Sequence, residues 1–118
     1  MSVPKPVARF TVVTLGVSDI RRSIAFYDSL GFARKFRETG EQVAFFDTGA
    51  TVLALYPWDK LAADAALPVQ PQPAGFRGIT LAWNCRSDGE VDEVLKFAVG
   101  QGATLQKAAH RTSYGGYS

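Results

Sequence analysis

Twice along this chain the same order is written: a run of β-branched residues, a polar cap, an apolar stripe at helical spacing and a glycine stop. The first copy is "VTLGVSDIRRSIAFYDSLGF", residues 13–32, and a fainter second is "ITLAWNCRSDGEVDEVLKFAVGQGAT", residues 79–104. Such a repeat constrains the fold strongly, because one strand and one helix cannot bury their apolar faces alone. A chain of 118 residues holds two such units as one domain and little else.

In the first copy "RFTVVTLGV" lacks helical spacing and predicts a strand over residues 10–17. Ser18 or Asp19 then supplies an oxygen to cap a helix whose stripe is Ile20, Ile24, Tyr27 and Leu30, with Gly31 at the expected left-handed stop. "FARKFRE" reads as an edge strand, and "QVAFFDTGATVLALYPW" as two strands around a two-residue Thr48-Gly49 turn. With a short helix over residues 59–67, residues 1–67 form a βαβββ module. The segment "PVQPQPAG", residues 68–75, is too proline-rich for a helix or central strand and serves as the connector.

Residues 76–118 repeat the order less completely. "GITLAWNC" predicts a strand, Ser87 and Glu90 form a capping box, and Val91, Val94, Leu95 and Ala98 make the stripe of a helix that Gly100 and Gly102 end. "ATLQK" begins another strand. Thr14-Leu15 corresponds to Thr80-Leu81, and Gly31 to Gly102. Where the first module goes on to a hairpin, the second gives only the loop "AAHRTSYGGYS". The expectation is therefore a truncated βαβ(ββ) module with an open edge.

Composition narrows the function classes. Hydrophobic residues at 47% and charged residues at 20% suit a folded globular chain. The net charge is +2, with Lys and Arg dispersed among acids, so neither nucleic acid nor an anionic membrane is implied as partner. No apolar run approaches the roughly 20 residues of a membrane span. "MSVPKPVARF" lacks the regions of a signal peptide, which together with a lone Cys85 implies a cytoplasmic protein without an internal disulfide.

Two βαβββ units, a strand ending "LGVSD", a helix containing "FY" and closing "SLGF", and a late "YGGYS" resemble the vicinal oxygen chelate superfamily. That superfamily includes glyoxalase I, bleomycin-resistance proteins, fosfomycin-modifying enzymes and extradiol dioxygenases. The resemblance implies an α+β fold in which paired βαβββ modules curl into a half-barrel cup, commonly completed in a homodimer. It also implies a divalent metal held by His, Gln or Glu on the first strand of each unit and by Glu on the closing strands. Carried onto this chain, those positions are Val12, Ala54 and Gly78, which have no donor atoms, and the neighbours Thr11, Val13, Leu53, Leu55, Arg77 and Ile79 supply no ligand set. The metal and cofactor expectation is therefore none. Family members usually continue beyond a "GGYS"-like segment into a hairpin with Asp-Pro-Asp-Gly and Trp-Glu, neither of which occurs here.

Strand alternation then defines what the cup presents. If Val12, Ala54 and Gly78 face inward, so do Thr14, Gly16, Val52, Tyr56, Thr80, Ala82 and Asn84; Val13, Leu15, Val17, Leu53, Leu55, Ile79, Leu81, Trp83 and Cys85 face the helices. Phe45 joins the inward set opposite Val52 across a two-residue turn, and Trp58 stands at the rim. The candidate pocket is thus Val12, Thr14, Phe45, Val52, Ala54, Tyr56, Trp58, Gly78, Thr80 and Asn84: small or apolar, with a few hydrogen-bonding groups.

Other features read as structural. Cys85 reads as a small buried hydrophobe with no His or Lys nearby in the pattern to lower its pKa. His110, the sole histidine, lies in a polar loop, solvated or else a mobile base over the cup. "YGGYS" lacks the lysine of a phosphate loop, and Arg21-Arg22 lies on a solvated helix face. The sequence points to a small-molecule binding protein without a metal site. Its alternative is a metal-dependent lyase or dioxygenase of the glyoxalase type, with ligands expected from the missing C-terminal part or from a partner.

Overall fold

A computed structural model describes residues 4–118 and divides the chain into two compact units, up to Gln72 and from Pro73. In the first unit β1 (Val12–Val17) leads through α1 (Ile20–Ser29) to β2 (Ala33–Lys35), β3 (Ala44–Asp47) and β4 (Val52–Pro57), followed by α2 (Trp58–Asp64). The sheet order is β1-β4-β3-β2. β1 runs parallel to β4, while β4, β3 and β2 are antiparallel in succession. The sheet is mixed and open, with β1 and β2 as its edges.

Each element has a local cause. The Asp19 carboxylate accepts the Arg22 amide at 3.1 Å and starts α1, satisfying one of the donors that a first helical turn leaves free. Gly31, at φ +100°, lets the chain leave α1 through a left-handed residue. The apolar stripe of α1 then lies on the sheet. Ile24, Tyr27 and Phe32, with Leu15 and Val17 from β1, pack on a buried cluster of Ala44, Phe46, Leu53 and Leu55. Tyr27 and Phe46 meet as tilted rings with centroids 6.1 Å apart, and burial pushes the Tyr27 phenol above its ordinary pKa.

Two expectations for this unit need correction. The edge strand stops at Lys35, because Phe36 adopts a left-handed backbone (φ 50°, ψ 54°) and a short 3₁₀ turn follows at Arg37–Thr39. The β3–β4 loop spans four residues, so Asp47 pairs with Val52 and Phe45 with Ala54 instead of with Val52. The Asp47 carboxylate accepts the Gly49 amide at 2.8 Å, and the Thr48 amide donates to the Thr51 carbonyl at 3.2 Å; these bonds close the longer loop. Trp58 follows β4 directly and opens α2 as its first helical residue.

In the second unit α3 (Asp88–Gly100) forms as expected. Ser87 Oγ accepts the Glu90 amide at 3.1 Å, and Gly102 is left-handed at φ +115°. The strands expected at residues 78–85 and 103–107 are absent: among the described residues this unit holds only the isolated bridge between Arg111 and Tyr117. Ile79, Leu81 and Trp83, expected on a helix-facing core, are 56%, 52% and 46% exposed, and Cys85 is half-buried. β propensity reflects fit to a laddered, half-buried surface, and without a pairing strand these residues do not become one. No helix among the described residues is long and apolar enough to cross a membrane.

The buried cluster predicts a steep mutational contrast. Leu55→Ala, at a fully covered position, lowers stability by about 2–5 kcal/mol through lost burial and the cavity left behind. Val7→Ala, 79% exposed, stays within about 0.5 kcal/mol. Urea unfolding followed by circular dichroism measures both.

Candidate functional site

Cross-strand partners share a face of a sheet, so the register assigns the two faces. Leu15, Leu55 and Ala44 form one row under α1. On the other face one row runs Thr14, Ala54, Phe45, Lys35 across β1, β4, β3 and β2, and the next runs Val12, Val52, Asp47, Ala33. Gly16 and Tyr56 pair beyond them, toward the carboxyl ends of β1 and β4. Six sequence-selected residues, Val12, Thr14, Phe45, Val52, Ala54 and Tyr56, thus stand together.

This face is largely apolar. Thr14, Phe45, Val52 and Tyr56 are half-buried, Val12 is 45% exposed, and Ala54, only 1% exposed, is the floor between Thr14 and Phe45. The hydroxyls of Thr14 and Tyr56 are the polar side-chain groups that β1 and β4 contribute to this face. Charge sits toward the β2 side, in Lys35 and in Asp47, whose carboxylate already holds the Gly49 amide.

Gly16 decides how one end is closed. A Cβ built there would lie 3.0 Å from Trp58 Cε3 and 3.1 Å from Leu61 Cδ2, so the first turns of α2 rest directly on the strand. Trp58 Nε1 donates to the Gln70 carbonyl at 2.7 Å, which fixes the indole. At the β2 side Phe36 meets Phe45 edge to face, with centroids 5.8 Å apart and planes at 88°. Phe36 was not legible in the sequence, since strand alternation sends residue 36 to the helix-covered face with Arg34 and Phe46.

Gly78, Thr80 and Asn84 belong to the second unit and are exposed there, outside any strand. His110 is exposed, its backbone paired with that of Ser118 by bonds of 2.8 and 3.0 Å. Desolvation and then the Glu90 carboxylate raise the Cys85 thiol above its ordinary pKa, which suits an inert thiol better than a nucleophile. No group of three or more His, Cys, Asp or Glu among the described residues could hold a metal ion. The side chains of Val12, Ala54 and Gly78 have no donor, so these positions do not fit the metal that the resemblance implies.

"YGGYS" has a structural place of its own. Thr112 Oγ1 accepts the Gly116 amide at 2.8 Å, Arg111 pairs with Asp88, and Tyr117 Oη donates to Asp92 Oδ1 at 2.7 Å. The Arg111 guanidinium lies 5.2 Å from the centre of the Tyr117 ring. The loop is thereby pinned to the first turns of α3.

Comparison with known proteins places the whole arrangement. The family model described as Glyoxalase/Bleomycin resistance protein/Dioxygenase superfamily matches residues 9–118. A glyoxalase-related enzyme from Fulvimarina pelagi is 28% identical, with a TM-score of 0.79 over 94% of this chain and 77% of its own. A glyoxalase/bleomycin resistance protein/dioxygenase family enzyme from Burkholderia phytofirmans PsJN is 24% identical, with a TM-score of 0.81 over 93% of this chain and 86% of its own. A lactoylglutathione lyase from Agrobacterium tumefaciens is 22% identical, with a TM-score of 0.69 over 95% and 83%. The last two likenesses concern the fold alone. No curated protein matches by sequence.

Two predictions follow from these contacts. Gly16→Ala forces Trp58 to move by a few tenths of an ångström, shifting tryptophan emission in a Trp83→Phe background and lowering the melting temperature, as overpacking does. The hydrogen bond to Asp92 comes first among the causes that raise the Tyr117 pKa. Folded Tyr117 is therefore raised above its unfolded value of about 10, so its contribution to stability is complete below that pH and is lost as pH rises through the folded pKa. In an absorbance titration Asp92→Asn moves one tyrosine ionisation to lower pH.

Proposed function

The chain belongs to the Glyoxalase/Bleomycin resistance protein/Dioxygenase superfamily, and we propose that within it this protein binds and sequesters a small, partly apolar or aromatic molecule, without a metal ion. One observation carries the proposal. The face of the first-unit sheet turned away from α1 presents Val12, Val52, Thr14, Tyr56 and Phe45 around a covered Ala54, and the metal positions it contains are Val12 and Ala54. Such a surface gains free energy by removing apolar area from water and orients its occupant through two hydroxyls. Its ionisable groups on the described strands, Lys35 and Asp47, lie toward the β2 side, and Asp47 is held by the Gly49 amide, which favours holding that occupant over turning it over.

The charge pattern narrows the class of occupant. A cationic drug of the bleomycin kind needs an acidic surface, yet Asp47 is the only carboxylate on this face of the described strands, and it is engaged by the Gly49 amide. A neutral or weakly acidic molecule with a flat apolar body suits the surface better.

Val52→Arg tests the proposal. It places a charge on the face, at the start of β4, without touching the core under α1, so it weakens binding of a small neutral aromatic molecule by about tenfold or more while the fold is kept. Quenching of Tyr56 and Trp58 emission during titration measures the affinity. Unchanged affinity in folded Val52→Arg, or product formation by the wild-type protein, overturns the proposal.

A further inference from the structure

Phe36 is the outlier of the first unit. A bulky side chain at φ 50° and ψ 54° occupies a backbone region that normally belongs to glycine or asparagine. The turn is held by groups other than its ring: Thr39 Oγ1 donates to the Phe36 carbonyl at 3.0 Å and sits 2.5 Å from the Val43 carbonyl, and the Thr39 amide also bonds the Phe36 carbonyl. Glycine would satisfy the turn without strain. The phenyl ring is not needed as core either, since Phe36 is 58% exposed. The left-handed residue does one further thing: it reverses the alternation and carries the ring from the α1 side to Phe45, on the face that we propose binds ligand. Strain kept by a residue that stays largely exposed on that face, with only the Phe45 ring described against its own, points to a contact outside the chain.

The position fits. Phe36 follows Lys35, which pairs with Phe45, so the aromatic pair stands toward the same end of the sheet as Tyr56 and the Trp58 indole on Gly16. From β2 to β1 is three strand spacings, about 14 Å, and Tyr56 lies between the two walls. A fused two-ring molecule lying on Tyr56 reaches the Phe36–Phe45 pair. Perpendicular rings offer a third ring both an electron-rich face and a positive edge, which a saturated ring of the same size cannot exploit.

We infer that Phe36, acting with Phe45, determines ligand class at this face by selecting planar aromatic rings over saturated rings of equal size. This rests on the binding role proposed above and adds to it a discriminating residue.

The test compares naphthalene-2-carboxylate with decahydronaphthalene-2-carboxylate, equal in charge and close in size but different in planarity, by titration followed in amide NMR spectra. The wild-type protein prefers the flat acid by about three- to tenfold, with shifts at Thr14 and Tyr56. Phe36→Leu keeps the apolar bulk and loses the preference, whereas Phe10→Leu, at a 91% exposed site, keeps it. Phe36→Gly relieves the backbone, stays folded and also loses the preference, which separates recognition from unfolding. If Phe36→Leu or Phe36→Gly keeps the preference, or Phe10→Leu loses it, while Thr14 and Tyr56 still shift, the inference falls and the binding role stands. If neither acid shifts Thr14 or Tyr56 in the folded wild-type protein, both fall.

Discussion

The parallel pairing of β1 with β4 is the constraint on which the rest of the first unit depends. Strands so far apart in sequence become neighbours only if the chain between them crosses over and returns, and α1, β2 and β3 supply that path. The crossover fixes the faces. Once α1 lies on Leu53, Leu55, Ala44 and Phe46, every second residue of β1 and β4 must point the other way. The row Thr14, Ala54, Phe45 is therefore a geometric consequence of burying Leu15, Leu55 and Ala44.

That dependence explains what could be read in advance. A period of two is robust in β1 and β4 because a one-residue slip would expose Leu53 and Leu55, so the assignment of Thr14, Val52, Ala54 and Tyr56 to one face needed only the alternation. The helix caps were legible for a similar reason: Asp19 and Ser87 are side chains whose oxygens reach amides three residues on. Loop length was not legible, since Asp47, Thr48, Gly49 and Thr51 support either a tight turn or the four-residue loop that their hydrogen bonds close. Nor was Phe36, because nothing in its side chain announces a left-handed backbone. In residues 78–85 the β-rich pattern was clear, but pattern alone provides no partner strand.

Membership of the superfamily and the chemistry of this chain point in different directions, and the difference is informative. The fold sets first-strand residues across from fourth-strand residues on this face, Val12 opposite Val52 and Thr14 opposite Ala54, and Val12 and Ala54 are the positions where the resemblance implies metal ligands. On the binding role proposed above, hydrocarbon in place of donors makes the surface one that holds a molecule and does not polarise it. The strained Phe36 and the indole held on Gly16 give that surface its boundaries.

The most direct measurement of the central claim is calorimetric titration of a small aromatic acid into the protein, first stripped with a chelator and then incubated with nickel. If the face binds through its own apolar residues, both samples give the same affinity and no ion is retained after dialysis. If binding appears only in the nickel sample, with one ion held per chain, the metal-independent account is contradicted.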